Sequence, residues 1–524
     1  MAYLQQLSPG NPPSCGGIQK EISGKMKYRV LLIFLYMLHF LFLPIYAEKT
    51  IDTHEHFEWE LERSQILPLF EKTTEKVEPL SLETVIESVE KNFPLILAAE
   101  RFISQADFEL LVALGAFDLQ WQAKVEILRN YYNNEKYSTT LEKPTEIYGI
   151  SLFGGYRLTQ GQLPVYDGKY ETARGGALQV GARFPLWRDF FIDRRRAGER
   201  AALLQRENAR LALDQLRLEL VRQASHRYWD WVAAGRRYMV ARQLYDNALQ
   251  RDAQLAVRVK SGDLPQVELT DNRRAILQRE AQLLEAERNL QNQALELSIF
   301  LRSPEWGTII PQPSFLPDDF PTLREMDMET VEADIQDALQ LRPEIKKLQN
   351  DMKLEDIEIE LQQNNQKPGV DLVVAASQPI GPGGAARTKT EFEANVVLTI
   401  PLQTRVADGR LGAARERKAR AELQLALLKD RIAVEIKDAA SAVEAARRRV
   451  LVAIEELRLA RNLEEAERVR FNLGDGNMFL VNLREQATFE AALREIQAQS
   501  DHQKALATYR YAIAELLALK KVNQ

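Results

Sequence analysis

The hydrophobic pattern changes period once in the stretch 391–472, and the rest of the chain repeats that change. Phe392, Ala394, Val396, Leu398 and Ile400 alternate with Glu391, Glu393, Asn395 and Thr399, the pattern of a strand with one apolar face. Pro401 ends it. Residues 408–472 then follow a helical period almost without a break. A helix of 65 residues spans about 98 Å, far more than a globular core holds.

Earlier in the chain, the spacing predicts a helix over 80–116, with Ser81 as N-cap and a kink at Pro94. A strand over 117–127 carries Phe117, Leu119, Trp121, Ala123, Val125 and Ile127 on one face. Residues 130–175 are rich in Tyr, Asn, Thr, Gly and Asp and read as a long segment between strands; the piece 147–158 fits an extra strand and an ordered loop equally well. Leu178, Val180, Ala182, Phe184 and Leu186 mark a second clear strand, and a helix is predicted over 189–260. It breaks at Ser261–Pro265, where Gly262 suits a helix C-terminus and Pro265 the start of the next helix, predicted over 266–302.

After a proline-rich linker over 303–328, the same order recurs in 329–519. There is a helix over 329–365 with Pro343, a strand over 370–377, a glycine-rich loop, and then the strand and long helix described first. That helix breaks at Gly474, Asp475 and Gly476, before a last helix over 479–519 and a short tail over 520–524. Pro343 follows Pro94 by 249 positions, Pro401 follows Pro185 by 216, and Gly474 follows Gly262 by 212. The spacing thus predicts an internal duplication, 80–302 and 329–519, with about 33 extra residues between the first two strands. In each half two shorter helices match one long one, which points to a rod of paired helices. Each half also gives two firm strands, four per chain. Four strands cannot close a membrane barrel, so membrane insertion would require several copies.

Composition narrows this picture. With a net charge of -6 and 27% charged residues, the chain has no basic bias suited to nucleic acid. Residues 26–47 read as an export signal: Lys27 and Arg29, an apolar run over 30–43, and a small-residue exit at Ala47. Met26 is then a candidate start, with 1–25 an extension and 48–79 a polar arm. The apolar run has 14 residues, fewer than the roughly 20 that a transmembrane helix needs. The only cysteine, Cys15, precedes the signal, so the exported chain is expected to hold no disulfide, thiolate metal site or lipidated cysteine. His54 and His56 in the polar arm are read as ordinary surface residues, and no metal or cofactor is expected. No phosphate loop or nucleophile elbow is present, and an enzyme is not expected.

Two strand-to-helix passages, GARFPLWRDFFIDRRRAGERAAL and NVVLTIPLQTRVADGRLGAARERKA, and two helix reversals, VKSGDLPQVELTDNRRAILQREAQLLEA and FNLGDGNMFLVNLREQATFEAAL, occur in the same order in both halves. In this the sequence resembles the TolC-like family of outer-membrane efflux and secretion channels. The resemblance implies a mainly α protein with a small β part: a homotrimeric α-helical barrel continuous with a 12-stranded transmembrane β-barrel, four strands per subunit. It implies a passive duct reaching from the outer membrane into the periplasm. Its partners would be outer-membrane lipid, a periplasmic adaptor and an inner-membrane pump or ABC exporter. The adaptor would dock at the reversals holding Gly262, Asp263, Pro265, Gly474, Asp475 and Gly476. Asp271 and Glu485 lie close by and are candidates for a ring of three carboxylates that gates the mouth. Trp187, Phe190 and Phe191 are expected to form an aromatic girdle at the membrane interface, with Arg188 and Arg194 to Arg196 facing either head groups or solvent. A soluble periplasmic coiled-coil scaffold is the competing reading; it leaves the alternating strands unexplained.

Overall fold

The computed structural model describes residues 78–164, 171–323, 325–382 and 389–522. The extension, the export signal, and His54 and His56 of the polar arm lie outside the described residues. The first helix, α1 (Leu82–Asn92), opens on Ser81, whose Oγ accepts from the Thr84 amide at 3.2 Å. Phe93 is extended, with ψ 125°, and α2 (Pro94–Leu114) begins afresh. The kink expected at Pro94 is therefore a complete break, because the proline ring disfavours helical backbone in the residue before it.

Four strands follow: β1 (Gln120–Leu128), β2 (Asn134–Pro144), β3 (Ser151–Gly161) and β4 (Ala177–Pro185). Next comes α3 (Arg194–Lys260), 67 residues or about 100 Å long, and its antiparallel return α4 (Gln266–Ser298). Among its described residues, the linker between the halves has irregular backbone apart from one turn of 3-10 helix (Pro313–Phe315). Beyond it α5 (Met328–Leu341) and α6 (Pro343–Asn365) are separated by extended Arg342, the second proline break. Then come β5 (Gly369–Pro379), β6 (Glu391–Thr399), the 68-residue α7 (Arg405–Asn472) and α8 (Met478–Ala512). The last predicted helix also divides. Ala514 has φ 55°, and α9 (Glu515–Val522) follows it.

The helices form a layer in which short helices lie end to end beside long ones. Near the sheet α3 packs against α2 and α6; further out it packs against α4 and α8, while α7 runs beside α6 and then α8. Where α1 and α2 meet the end of α4, Phe93 and Phe300 stack at 5.5 Å, and Ser88 Oγ and Asn92 Nδ2 donate to the Arg302 carbonyl at 3.2 and 3.0 Å. Val85, Val89, Ile96, Trp231, Leu290 and Leu297 bury the junction. The linker closes over it at Gly235, where a Cβ would lie 2.3 Å from Leu316 Cδ1. Polar ties fix α3 against the second half. His226 Nε2 lies 3.1 Å from the Lys504 carbonyl and 3.0 Å from Thr508 Oγ1, and Lys504 pairs with Asp230 at 2.6 Å.

The strands form one antiparallel sheet in the order β1-β2-β3-β4-β5-β6. Directly paired residues share a face, so the register shows what each face carries. Trp121, Leu141, Gly154, Val180, Ala376 and Phe392 form one row across all six strands. The adjacent row, on the opposite face, is Gln122, Thr140, Gly155, Gln179, Ser377 and Glu391. In these two rows one face is thus apolar and the other polar from edge to edge.

Six strands replace the four expected. Segment 147–158 overlaps β3, and β2 lies where only a loop was read. The sequence of β2, NEKYSTTLEKP, hides its alternation, since Tyr137 and Leu141 are its only large apolar residues and its charges gather towards its ends. The expectation of four strands per chain is thus corrected to a six-stranded sheet among the described residues.

Two consequences can be measured. Gly235→Val is expected to displace Leu316 at an overpacking cost of about 1–3 kcal/mol, and limited proteolysis should then cut the linker faster than in the native chain; equal rates would contradict the contact. Burial lowers the His226 pKa below 6.5, assisted by Arg222. The unfolded chain therefore takes up that proton first, so stability is full above pH 6.5 and falls as pH drops below it. Denaturant unfolding of His226→Gln against the native protein between pH 7.5 and 5 should show a shallower loss in the variant.

Candidate functional site

The far end of the helical layer is built from two reversals with the same hydrogen bonds. In the first, Ser261, Gly262 and Asp263 amides donate to the Val257, Val259 and Arg258 carbonyls at 3.0, 3.1 and 2.9 Å; in the second, Leu473, Gly474 and Asp475 amides donate to Val469, Phe471 and Arg470 at 3.0, 3.1 and 3.0 Å. Gly262 and Gly474 have φ of +81° and +83°, the left-handed conformation that closes a helix C-terminus and that a side chain would strain. Pro265 occupies the N-cap position of α4. Asn477 caps α8, its Oδ1 accepting from the Leu480 amide at 2.9 Å. The reversals are joined directly, because Glu268 on α4 accepts from the Met478 amide of α8 at 2.7 Å. Leu255, Leu269, Phe471, Met478 and Val481 bury a small apolar cluster beneath them.

Behind this cluster lies a charged knot. Glu485 is 2% exposed. Its carboxylate accepts from Arg279 at 2.7 Å and from Arg251, and Arg468 approaches to 3.5 Å. Asn482, one turn earlier, accepts from the same two arginines, at 3.3 Å from Arg251 and 3.2 Å from Arg279, and donates to Asp271 at 2.9 Å. Burial pulls the Arg279 guanidinium below its ordinary value, and the Glu485 charge opposes that shift. Desolvation offsets most of the Coulomb gain of such a pair. The apolar cluster therefore supplies the attraction, and the charges fix which residues of α3, α4, α7 and α8 lie opposite one another.

The candidate residues consequently part company. Gly262, Asp263, Pro265, Gly474, Asp475 and Gly476 lie together at the tip, and the Asp475 side chain is 83% exposed. Asp271 is turned towards Asn482 and Arg274. Glu485 points in among the chain's own helices, so in this conformation it is neutralised internally rather than free to join an exposed ring. Arg251 and Arg279, which hold it, come from two other helices, and nothing in their local sequence marks the pairing.

At the other end, the helix starts form a second cluster. Phe190 stacks on Tyr148 at 4.8 Å and meets Phe191 edge-on at 4.9 Å, while Trp187 and Phe191 are exposed. Tyr148, absent from the sequence-based girdle, comes from the turn between β2 and β3. Arg196 is buried and donates to the Asp189, Phe190 and Phe191 carbonyls at 2.6, 3.0 and 3.2 Å, so it stitches the strand-to-helix passage and faces neither head groups nor solvent. Arg194 and Arg195 are exposed. Among the described residues no group of three or more His, Cys, Asp or Glu could hold a metal ion, and no helix is long and apolar enough to cross a membrane.

No protein-family model and no curated protein matches the sequence. Solved structures do match its fold. The outer membrane protein VceC from Vibrio cholerae aligns with a TM-score of 0.59 at 15% identity, covering 83% of this chain and 96% of that one. The open state of the Neisseria gonorrhoeae MtrE outer membrane channel aligns at 0.58 and 13% identity, covering 90% and 98%. The Campylobacter jejuni CmeC outer membrane channel aligns at 0.55 and 14% identity, covering 90% and 93%. The chain has the fold of these outer-membrane channels.

Arg279→Ala would leave Glu485 buried with weakened compensation, an expected local cost of about 3–5 kcal/mol. Hydrogen exchange should rise in peptides spanning 464–485 while peptides around Trp231 are unchanged. Unchanged exchange at the tip would contradict the knot.

Proposed function

We propose that this chain is one subunit of a homotrimeric exit duct of the TolC-like family, spanning the outer membrane through its sheet and crossing the periplasm through its helical layer. The observation that carries the reading is the two-faced sheet. A face that is apolar and exposed from β1 to β6, backed by a polar face, suits lipid on one side and an aqueous pore on the other. A soluble scaffold has no use for it.

The helical layer supports several copies arranged in a ring. One free edge is formed by α2 and α4, where Phe108 is 69% exposed; the other is α7, where Leu423 is 75% exposed. β1 follows α2, and β6 runs into α7. The open edges of sheet and helices therefore coincide, and neighbours that meet along one meet along the other. Three copies, as the TolC-like resemblance implies, would close both layers. Tyr148, Trp187, Phe190 and Phe191 would then form the periplasmic-side girdle. The identical hydrogen bonding of the reversals, 212 positions apart, supports an origin by duplication.

The protein in this reading performs no chemistry and is not an enzyme. An inner-membrane pump or ABC exporter supplies the energy, and a periplasmic adaptor docks at the tip formed by Gly262–Pro265 and Gly474–Gly476. Exposed Asp263 and Asp475 would line or flank the mouth. The buried knot at Glu485 keeps α3, α4, α7 and α8 together, so adaptor binding would move each tip as one body, shifting a closed mouth towards an open one.

The purified chain reconstituted in planar bilayers is expected to run as a trimer on native gels and to give discrete conductance steps, with Asp263→Asn combined with Asp475→Asn lowering cation over anion selectivity. Monomers without conductance would overturn the reading.

A further inference from the structure

We propose that the hairpin of β2 and β3 is part of the membrane wall, so that three copies of the six-stranded sheet, β1 of each pairing with β6 of the next, close an 18-stranded barrel. The proposal rests on the trimeric-duct reading and changes the size of its pore.

Three observations carry it. First, the hairpin is the right length: β2 and β3 have 11 residues each, and the other four strands have nine or 11, the number that crosses a bilayer at the usual strand tilt. Second, it has the same two faces as its neighbours. Tyr137, Leu141, Leu152, Tyr156 and Leu158 continue the apolar face, with Thr139 midway and Glu135, Lys143 and Gln160 towards the strand ends, while Lys136, Thr140 and Arg157 continue the polar one, which also carries Phe153. A ribbon standing in water above the membrane would need no apolar face in register with the rest.

Third, the hairpin reaches the helical end of the sheet and is anchored there. The backbone of its turn at Gly149 lies so close to the strand-to-helix passage that a Cβ would meet the Asp189 carbonyl at 2.4 Å. Beside it, Tyr148 stacks on Phe190. The hairpin therefore runs the full height of the sheet. It also separates β1 from β4, which pairs with β3. Removing the hairpin from the wall would break two complete ladders of backbone hydrogen bonds inside lipid, where nothing replaces them.

Eighteen strands lie within the range of known membrane barrels. Barrel diameter grows roughly linearly with strand number, so the outer opening would be about 1.5 times as wide as one built from 12 strands. The outer opening would then not limit the size of cargo, and the narrowest point would lie at the helical tips.

The test uses the full chain with Cys15→Ser, reconstituted in lipid nanodiscs and labelled at single cysteines with a fluorophore quenched by spin-labelled lipid. Label at Tyr137→Cys and Leu158→Cys is expected to lose fluorescence, and label at Lys136→Cys and Thr159→Cys to keep it. Val180→Cys and Val396→Cys report on the duct reading itself: if they are not quenched, that reading fails. If they are quenched while Tyr137→Cys and Leu158→Cys are not, the hairpin stands outside the wall and only this proposal fails. Electron cryomicroscopy of the unlabelled protein gives an independent count. Eighteen strands around a threefold axis support the proposal; 12 strands, in a trimer or in a dimer, overturn it.

Discussion

Unpaired backbone amides and carbonyls cannot remain in hydrocarbon, and in the proposed membrane duct this constraint would organise the whole molecule. Along β1 and β6 nine residues each are exposed at the sheet's two edges, and neither strand pairs beyond its one neighbour. In lipid such a sheet exists only if other copies complete it. The helices comply with the same symmetry, because each sheet edge continues into a helical edge that exposes apolar side chains. In the proposed duct, closure of the pore and assembly of the periplasmic wall would thus be one event.

The length of α3 and α7 follows from where the ends must be. One end is tied to the sheet by Asp193, which caps α3 through its contacts to the Arg195 and Arg196 amides, and by Arg196, which gathers three carbonyls. The other carries two glycine reversals about 100 Å away. A rod of that length has little core per residue, so alignment depends on sparse ties: the Trp231 junction, His226 with Lys504, and the Glu485 knot. In the proposed duct the knot would matter most, because it ties four helices together near the tip.

Much of this was legible from period alone. The strand of Phe392 to Leu398, the long helices, and both glycine reversals follow from alternation, helical spacing and turn chemistry, each a local property. What was hidden is non-local. Glu485 reads as one surface carboxylate among many until Arg251 and Arg279, both more than 200 positions away, are brought to it. The strand β2 is hidden in the sequence because a strand with Thr139 at its middle and charges towards its ends lacks a clear hydrophobic signature; its apolar face is recognisable only when Trp121 and Tyr156 flank it. Pro94 and Pro343 stand out in the sequence, but local spacing predicts a kink where the backbone starts a new helix.

Amide exchange of the two edge strands in the lipid-embedded assembly tests closure most directly. If the sheets join into a continuous barrel, amides of β1 and β6 are predicted to exchange as slowly as those of β4, which is paired on both sides. Fast exchange in β1 and β6 beside a protected β4 would mean that the edges stay open, and the account of this protein as a closed membrane duct would be wrong.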